Sequence, residues 1–379
     1  MAKYVIRDTT LTAIGDAIRE QTGKTDSLTP AEMADEIGSY LGDIRGIVGR
    51  TLTDIRHEGV TAVAPYAFYN YTTLNSIDLP NCTTIGSSAF SGCTGLTSVS
   101  FPMCTMVGAN AFSNCKNIAN VTFGHTSYTT AASFQLSNLK TTTITTLAFP
   151  NCVEIGKDVF NGYNKLVEVR APVCKTLGQG AFNNCSFLET AYFPECDTFG
   201  ANVFSNCKIL NNVAFGLETF TSENNPVSKM SSTLMNIGLP KCESIGTDAF
   251  TGYPKLSSAS LPMCRIIGEY AFANCVDLKE IVLPACSFME YGAFYNCTGL
   301  MTVKFPGSSV ASFPWAFGPP IPAGSSGTTS YAYAFDHTPI QNSSYTGTFG
   351  SIYVPASLVN AYKTTICWER YADRITAIE

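Results

Sequence analysis

The 379 residues include 45% hydrophobic but only 14% charged side chains, with a net charge of −6, whereas soluble domains ordinarily carry about 25% charged residues. Ser, Thr, Asn and Gly fill the deficit, so the surface is polar but weakly charged. No Lys/Arg-rich run or basic patch with interleaved aromatics appears, which excludes the footprint of a nucleic-acid binder. No run approaches the roughly 20 apolar residues needed for membrane insertion.

The opening, MAKYVIRDTT, lacks the roughly 7 to 15 residue apolar stretch of a secretory signal. Synthesis in the cytoplasm is expected, with any export by another route such as virion release. Residues 1–56 differ in kind from the rest, holding 16 of the 52 Asp, Glu, Lys and Arg residues. Leu11, Ile14 and Ile18 share a helical face. TPAE at 29–32 reads as a capping box, with Thr29 at the N-cap, Pro30 at N1 and Glu32 at N3, followed by Met33 and Ile37 on one side. Two short amphipathic helices are therefore expected, too small to stand alone and suited to attachment or self-association. TGKT at 22–25 is not a phosphate loop, because Ile18 stands where that loop needs a glycine.

From His57 onward the chain repeats with a period of 22. Rows begin at His57, Leu79, Phe101, Phe123, Phe149, Ala171, Phe193, Phe215, Leu239, Leu261, Leu283 and Phe305. Tyr71, Tyr163 and Tyr253 replace the cysteine of the recurring AFxxC phrase at intervals of 92 and 90 residues. Each opens a block of four rows whose last member, from Phe123, Phe215 or Phe305, is irregular. Within a row, Leu96, Val99 and Phe101 have L-x-x-L-x-L spacing and Cys104 follows, the strand-and-turn half of a leucine-rich repeat. Alternation turns Val99 and Phe101 inward and Ser100 outward, and Pro102 ends the ladder. The next apolar residue, Ile85 or Val107, comes one position late. Gly108 then supplies a turn, and Ala111 with Phe112 face back into the core. A lone row would leave its apolar face in water, so only the stack is stable.

The phrase LPxCxxIGxxAFxxCxxLxxV resembles the BspA-like class of leucine-rich repeats over about Gly59 to Glu379. The resemblance implies a mostly β repeat solenoid, a leucine-rich-repeat horseshoe of about twelve rows, of a kind common in bacterial surface proteins and gut phage proteins. Gly350 to Glu379 resembles that family's closing segment: a last strand, a short amphipathic helix and a Trp/Tyr cap. There Leu358, Val359, Tyr362, Trp368, Tyr371 and Ile375 are expected to cover the open end. Thr10 to Leu41 resembles an N-terminal segment of tail and fibre proteins of phages and prophages of Gram-positive bacteria. Three parts are thus expected: an attachment or oligomerisation segment (1–56), the solenoid (57–348, its last row expanded at 306–348) and a cap (349–379).

The fifteen cysteines are the first candidates for chemistry. Zinc needs four converging ligands, usually from close pairs, and no C-x2-C pair occurs. Spacings of 11 and 22 instead stack each thiol over its counterpart. Many equivalent cysteines beside three scattered histidines, His57, His125 and His337, do not make a nucleophilic site. Cys82, Cys93, Cys104, Cys115, Cys174, Cys185, Cys264 and Cys275 are expected to be buried, reduced small hydrophobes, with inter-row disulfides the alternative.

No catalytic, metal or cofactor-binding residues are assigned and no cofactor is expected. The candidates for ligand contact are Arg170 and Tyr192, large among the small outward strand residues, and the aromatics Trp315, Tyr331, Tyr333 and Tyr345 of the expanded row. Aromatics among Ser, Gly and Asn suit stacking on sugar rings; the competing reading makes AYAF another A-F turn and Trp315 core. The expected function is non-enzymatic recognition of a bacterial surface protein or glycan, as a phage or prophage tail protein in the virion. In that setting other tail proteins, or further copies of the chain, would meet residues 1–56. The alternative is a cell-surface adhesin, and the second alternative a cell-wall or polysaccharide hydrolase.

Overall fold

The computed structural model describes residues 52–128, 143–312, 333–341, 349–365 and 367–378. The helices expected before residue 52 lie outside that range. The chain divides into two compact units between Ile118 and Ala119, and each is a parallel β stack. In the first, Asp54–Arg56, Ser76–Asp78 and Ser98–Phe101 pair at an offset of 22 residues.

In the second unit seven strands from Asn120–Phe123 to Ser258–Ser260 form one parallel ladder. Another four-stranded ladder joins Glu280–Val282, Thr302–Lys304, Ser351–Val354 and Ile375–Ala377. Irregular rows leave the face assignment untouched: Asn120 meets Thr146, Asn212 meets Asn236 and Thr302 meets Ser351. The register is kept because a one-residue slip would turn every inward side chain to water. Twelve row strands run from Asp54–Arg56 to Thr302–Lys304, and Ser351–Val354 adds a thirteenth. Ile375–Ala377 adds a strand to the cap beyond the single last strand that the sequence pattern shows.

Two further sides close each row. Two-residue strands such as Glu154–Ile155, Thr176–Leu177 and Thr198–Phe199 pair in parallel. Thr84–Ile85 and Met106–Val107 do so in the first unit. The apolar residue that arrives one position late is therefore the second residue of these strands, and Ile85, Ile155 and Leu177 are buried. The last side is built from the AFxxC turns. Two positions per turn take positive φ: Asp158, Gly180, Asn202 and Asp248 before the small-Phe pair, and Gly162, Asn184, Asn206 and Gly252 before the Cys or Tyr. Only Gly, and at modest cost Asn and Asp, visit this region readily, which explains why they recur there. Alternate N–H groups of one turn donate to the next: Gly180 to Ala201, Phe182 to Val203 and Asn184 to Ser205, at 2.9, 3.0 and 2.8 Å.

Inside, the phenylalanines of these turns form columns. Phe160, Phe182 and Phe204 stack at 5.3 and 5.8 Å between centroids. Phe250, Phe272, Phe294 and Phe335 stack at 5.2, 5.3 and 5.5 Å. Such offset pairs contribute about 0.5–1.5 kcal/mol each beyond the area they bury. The last column shows that Ala334 and Phe335 of AYAF make another A-F turn. The short helix Val359–Thr364 and the segment to Ile375 close the stack with Tyr362, Trp368, Tyr371 and Ile375 buried, while Leu358 and Val359 are half-buried.

Candidate functional site

The cysteines resolve into two columns of hydrogen-bonded thiols. In the strand column each Sγ donates to the carbonyl two residues on: Cys104 to Met106 at 3.3 Å, Cys174 to Thr176 at 3.4 Å and Cys264 to Ile266 at 3.2 Å. In the turn column each Sγ reaches the Phe carbonyl one row back: Cys115 to Phe90, Cys185 to Phe160 and Cys275 to Phe250, at 2.9, 3.2 and 3.3 Å. All fifteen are free thiols, and all but the half-buried Cys367 are buried. Burial pushes the Cys104 and Cys242 thiols up to about 11, and those of Cys207, Cys264, Cys286 and Cys297 to about 12. A thiol held protonated is neither nucleophile nor metal ligand. Among the described residues no group of three or more His, Cys, Asp or Glu is placed to hold a metal ion.

Of the tyrosines that replace this cysteine, Tyr253 stands where the preceding row offers no Phe carbonyl. Tyr253 follows the row whose A-F turn is replaced by TSENNPVSKM. Its longer arm spans the gap: its hydroxyl donates to the Val227 carbonyl at 3.2 Å and accepts from Asn225 Nδ2 at 2.9 Å. Tyr71 likewise accepts from the Leu52 N–H at 3.1 Å. Tyr163 is buried with its ring edge-on to Phe160 at 5.5 Å.

With the interior committed to packing, the outward face of the long parallel ladder remains. Each strand presents two side chains there, because residues two apart share a face. Arg170 and Tyr192 sit on adjacent strands, the guanidinium 5.5 Å from the ring centroid. Glu168, on the Arg170 strand, accepts from the Arg170 Nε. Beyond Tyr192 the next three strands offer only Asn212 with Ala214, Asn236 with Gly238, and Ser258 with Ser260. The result is a shallow basin of about 340 Å³ from Arg170 to Ser260. A second pair, Lys304 to Glu280 at 2.6 Å, stands on the following strands. At roughly 4.8 Å per strand, the uncharged floor between the two ion pairs is long enough for an extended peptide or a short glycan.

Of the sequence-derived candidates, the structure brings Arg170 and Tyr192 together. Tyr333 lies apart from them, beside the A-F turn of residues 334–335. It is exposed on one side, with the Arg370 guanidinium 3.1 Å from its ring centroid. Trp315, Tyr331 and Tyr345 lie outside the described residues. The floor residues Asn212, Asn236 and Ser258 were not among the candidates. Their signal was strand alternation, which places positions two before each recognised outward residue on the same face.

The profile of the BspA type leucine rich repeat region matches residues 61–147, 140–252 and 243–356. Among solved structures, a leucine rich cell surface protein from Faecalibacterium prausnitzii is 20% identical, covering 68% of this chain and 80% of that one, with a TM-score of 0.29. A leucine-rich repeat protein from Bacteroides ovatus is 19% identical over 87% of this chain and 85% of that one, with a TM-score of 0.28. A chain of the Drosophila Toll–Spatzle complex is 14% identical over 64% of this chain and 34% of that one; its TM-score of 0.53 marks a shared fold. No curated protein matches the chain.

Proposed function

We propose that this chain, which belongs to the BspA type leucine-rich repeat family, is a non-enzymatic recognition protein that holds a protein or glycan of a bacterial surface on the outward face of its sheet. The observation that carries this reading is the exposed Arg170–Tyr192 pair bordering a floor of small, uncharged residues. Arg and Tyr are the residue types in which binding energy concentrates at interfaces. Ala214, Gly238 and Ser260 let a partner's backbone approach closely. Flanking ion pairs at Glu168 and Glu280 leave the rim polar, as protein interfaces require.

Family membership supports a cell-surface adhesin as the setting. A second setting, a phage or prophage tail, rests on the resemblance of Thr10 to Leu41 to tail-protein segments; residues 1–56 would then dock to the virion or to further copies. Antibody labelling of intact producing cells and of purified virions separates the two. Deleting residues 1–56 would abolish virion incorporation in the tail setting.

The recognition itself is tested with fluorescent full-length protein on a panel of bacterial cells. Saturable binding is expected, lost in Tyr192→Ala and Arg170→Ala and in Gly238→Trp, which blocks the floor. Protease or periodate treatment of the cells then tells a protein partner from a glycan. Binding unchanged in all three variants would overturn the assignment to this face.

A further inference from the structure

Among the described residues, the hydrogen-bond ladder of the turn side breaks after the row from Phe193. Gly180, Phe182 and Asn184 each donate to a carbonyl in the row that follows. Their equivalents one row on, Asn202 and Phe204, have backbone N–H groups with no acceptor among the described residues. The reason is local: the row from Phe215 carries TSENNPVSKM, Thr221 to Met230, in place of an A-F turn. The third block meets the same situation differently, since Phe294 donates to the Ala334 carbonyl at 2.8 Å and Asn296 to Asp336 at 2.9 Å. In the second block the place of those carbonyls is a cavity of about 510 Å³ between residues 197–205 and 223–230, a volume within the range of small-molecule sites.

Its far wall is pinned. Asn225 donates to the Ala249 carbonyl at 3.1 Å and accepts from the Val227 N–H at 2.9 Å, and Asn224 donates to the Thr219 carbonyl at 2.7 Å. The cavity lining combines the carboxylates of Asp197 and Glu223, the ammonium of Lys229 and the apolar sides of Phe199 and Met230. Lys229 Nζ stands 3.1 Å from Asn202 Oδ1, beside the unmet N–H groups. A bare anion would face two carboxylates against one ammonium. A wholly apolar ligand would bury N–H groups and charges without partners, at a cost of about 1–3 kcal/mol for each group. A hydroxyl both donates and accepts, and a sugar ring adds a C–H face for Phe199 and Met230.

We propose that this cavity is a binding site for a neutral mono- or disaccharide. Hydroxyls of the sugar donate to Asp197 and Glu223 and accept from Lys229 and from the N–H groups of Asn202 and Phe204. The site shares no residue with the basin at Arg170 and Tyr192 and does not depend on the function proposed for that face.

The test is titration of the full-length protein with glucose, galactose, mannose, N-acetylglucosamine and their disaccharides, and separately with inorganic phosphate and sulfate. Calorimetry and saturation-transfer NMR give the readouts. At least one sugar is expected to bind saturably and to lose affinity about tenfold in Glu223→Gln and in Asp197→Asn, the effect of one charge-assisted hydrogen bond. Ala201→Trp, which fills the mouth, abolishes binding, and Tyr192→Ala leaves it unchanged. The proposal is overturned if no sugar of the panel saturates, or if binding survives both carboxylate substitutions. It is equally overturned if phosphate or sulfate binds in preference and is lost in Lys229→Ala. Should Ala201→Trp fail to fold, the exposed Glu223 and Asp197 variants still decide.

Discussion

The indole Nε1 of Trp368 donates to the carbonyl of Ala311 at 2.6 Å, and the N–H of the same alanine donates to the hydroxyl of Tyr362 at 3.1 Å. Two cap aromatics thus satisfy both backbone groups of one buried residue more than fifty positions earlier. Trp368→Phe keeps a six-membered aromatic ring but loses the indole N–H and leaves the Ala311 carbonyl unmet, at an expected cost of about 1–3 kcal/mol. Trp368→Ala adds a cavity and is expected to cost about 3–5 kcal/mol. Denaturant unfolding measures both, and hydrogen exchange should show protection lost first in Thr302–Lys304 and Ser351–Val354.

The turn-column thiols permit a graded test. Cys185→Ser keeps a donor for the Phe160 carbonyl and is expected to cost at most about 1 kcal/mol. Cys185→Ala loses that bond and some packing, about 1–2 kcal/mol. Cys104→Asp places a charge where the thiol is fully buried and should cost several kcal/mol. A shift of Cys104→Asp no larger than that of Cys185→Ser would contradict the burial argument.

Raised thiol pKa values also dictate a pH profile. The unfolded chain releases these protons near the ordinary value of 9.0, whereas Cys104 and Cys242 hold them to about 11, and Cys264 and Cys297 to about 12, when folded. Between those values the unfolded state binds fewer protons, so stability falls as pH rises. The thiol contribution is fully present below about pH 9 and is lost progressively towards pH 12. Reducing agent should leave the fold intact. At pH 8, iodoacetamide followed by mass spectrometry should modify Cys367 alone in the native protein and the other fourteen only after denaturation.

Tyr253→Cys restores the majority residue of its position and yet is expected to destabilise. The row before it has no Phe carbonyl to receive the thiol, and the space occupied by the ring would be left empty, for about 2–4 kcal/mol. Tyr253→Phe removes only the hydroxyl that Asn225 and Val227 engage, for about 1–2 kcal/mol. Thermal melts of the two variants should rank them in that order.

Much of this architecture is readable from residue spacing. Val99 and Phe101, Ala111 and Phe112, and the cap aromatics Tyr362, Trp368 and Tyr371 announce their burial by period and alternation, which depend on local geometry alone. Other features depend on where the backbone goes. Tyr253 is visible as a departure, but its cause is the carbonyl missing from a row whose path no periodicity describes. The unmet N–H groups of Asn202 and Phe204 leave no trace in their own turn, ANVF, which matches its neighbours; the break lies in the following row. Ile375–Ala377 is too short for its alternation to mark a strand.

The contact that joins Cys185 to Phe160 also joins Cys207 to Phe182, at the same separation of 25 residues and the same 3.2 Å. Between regular rows each row therefore offers its successor the socket that it received from its predecessor, and Tyr253 stands where that succession is interrupted. A gene that gained or lost one regular row would leave the sockets of its neighbours matched. The length of the outward sheet face can thus vary by copy number, while the rules for folding a row stay constant.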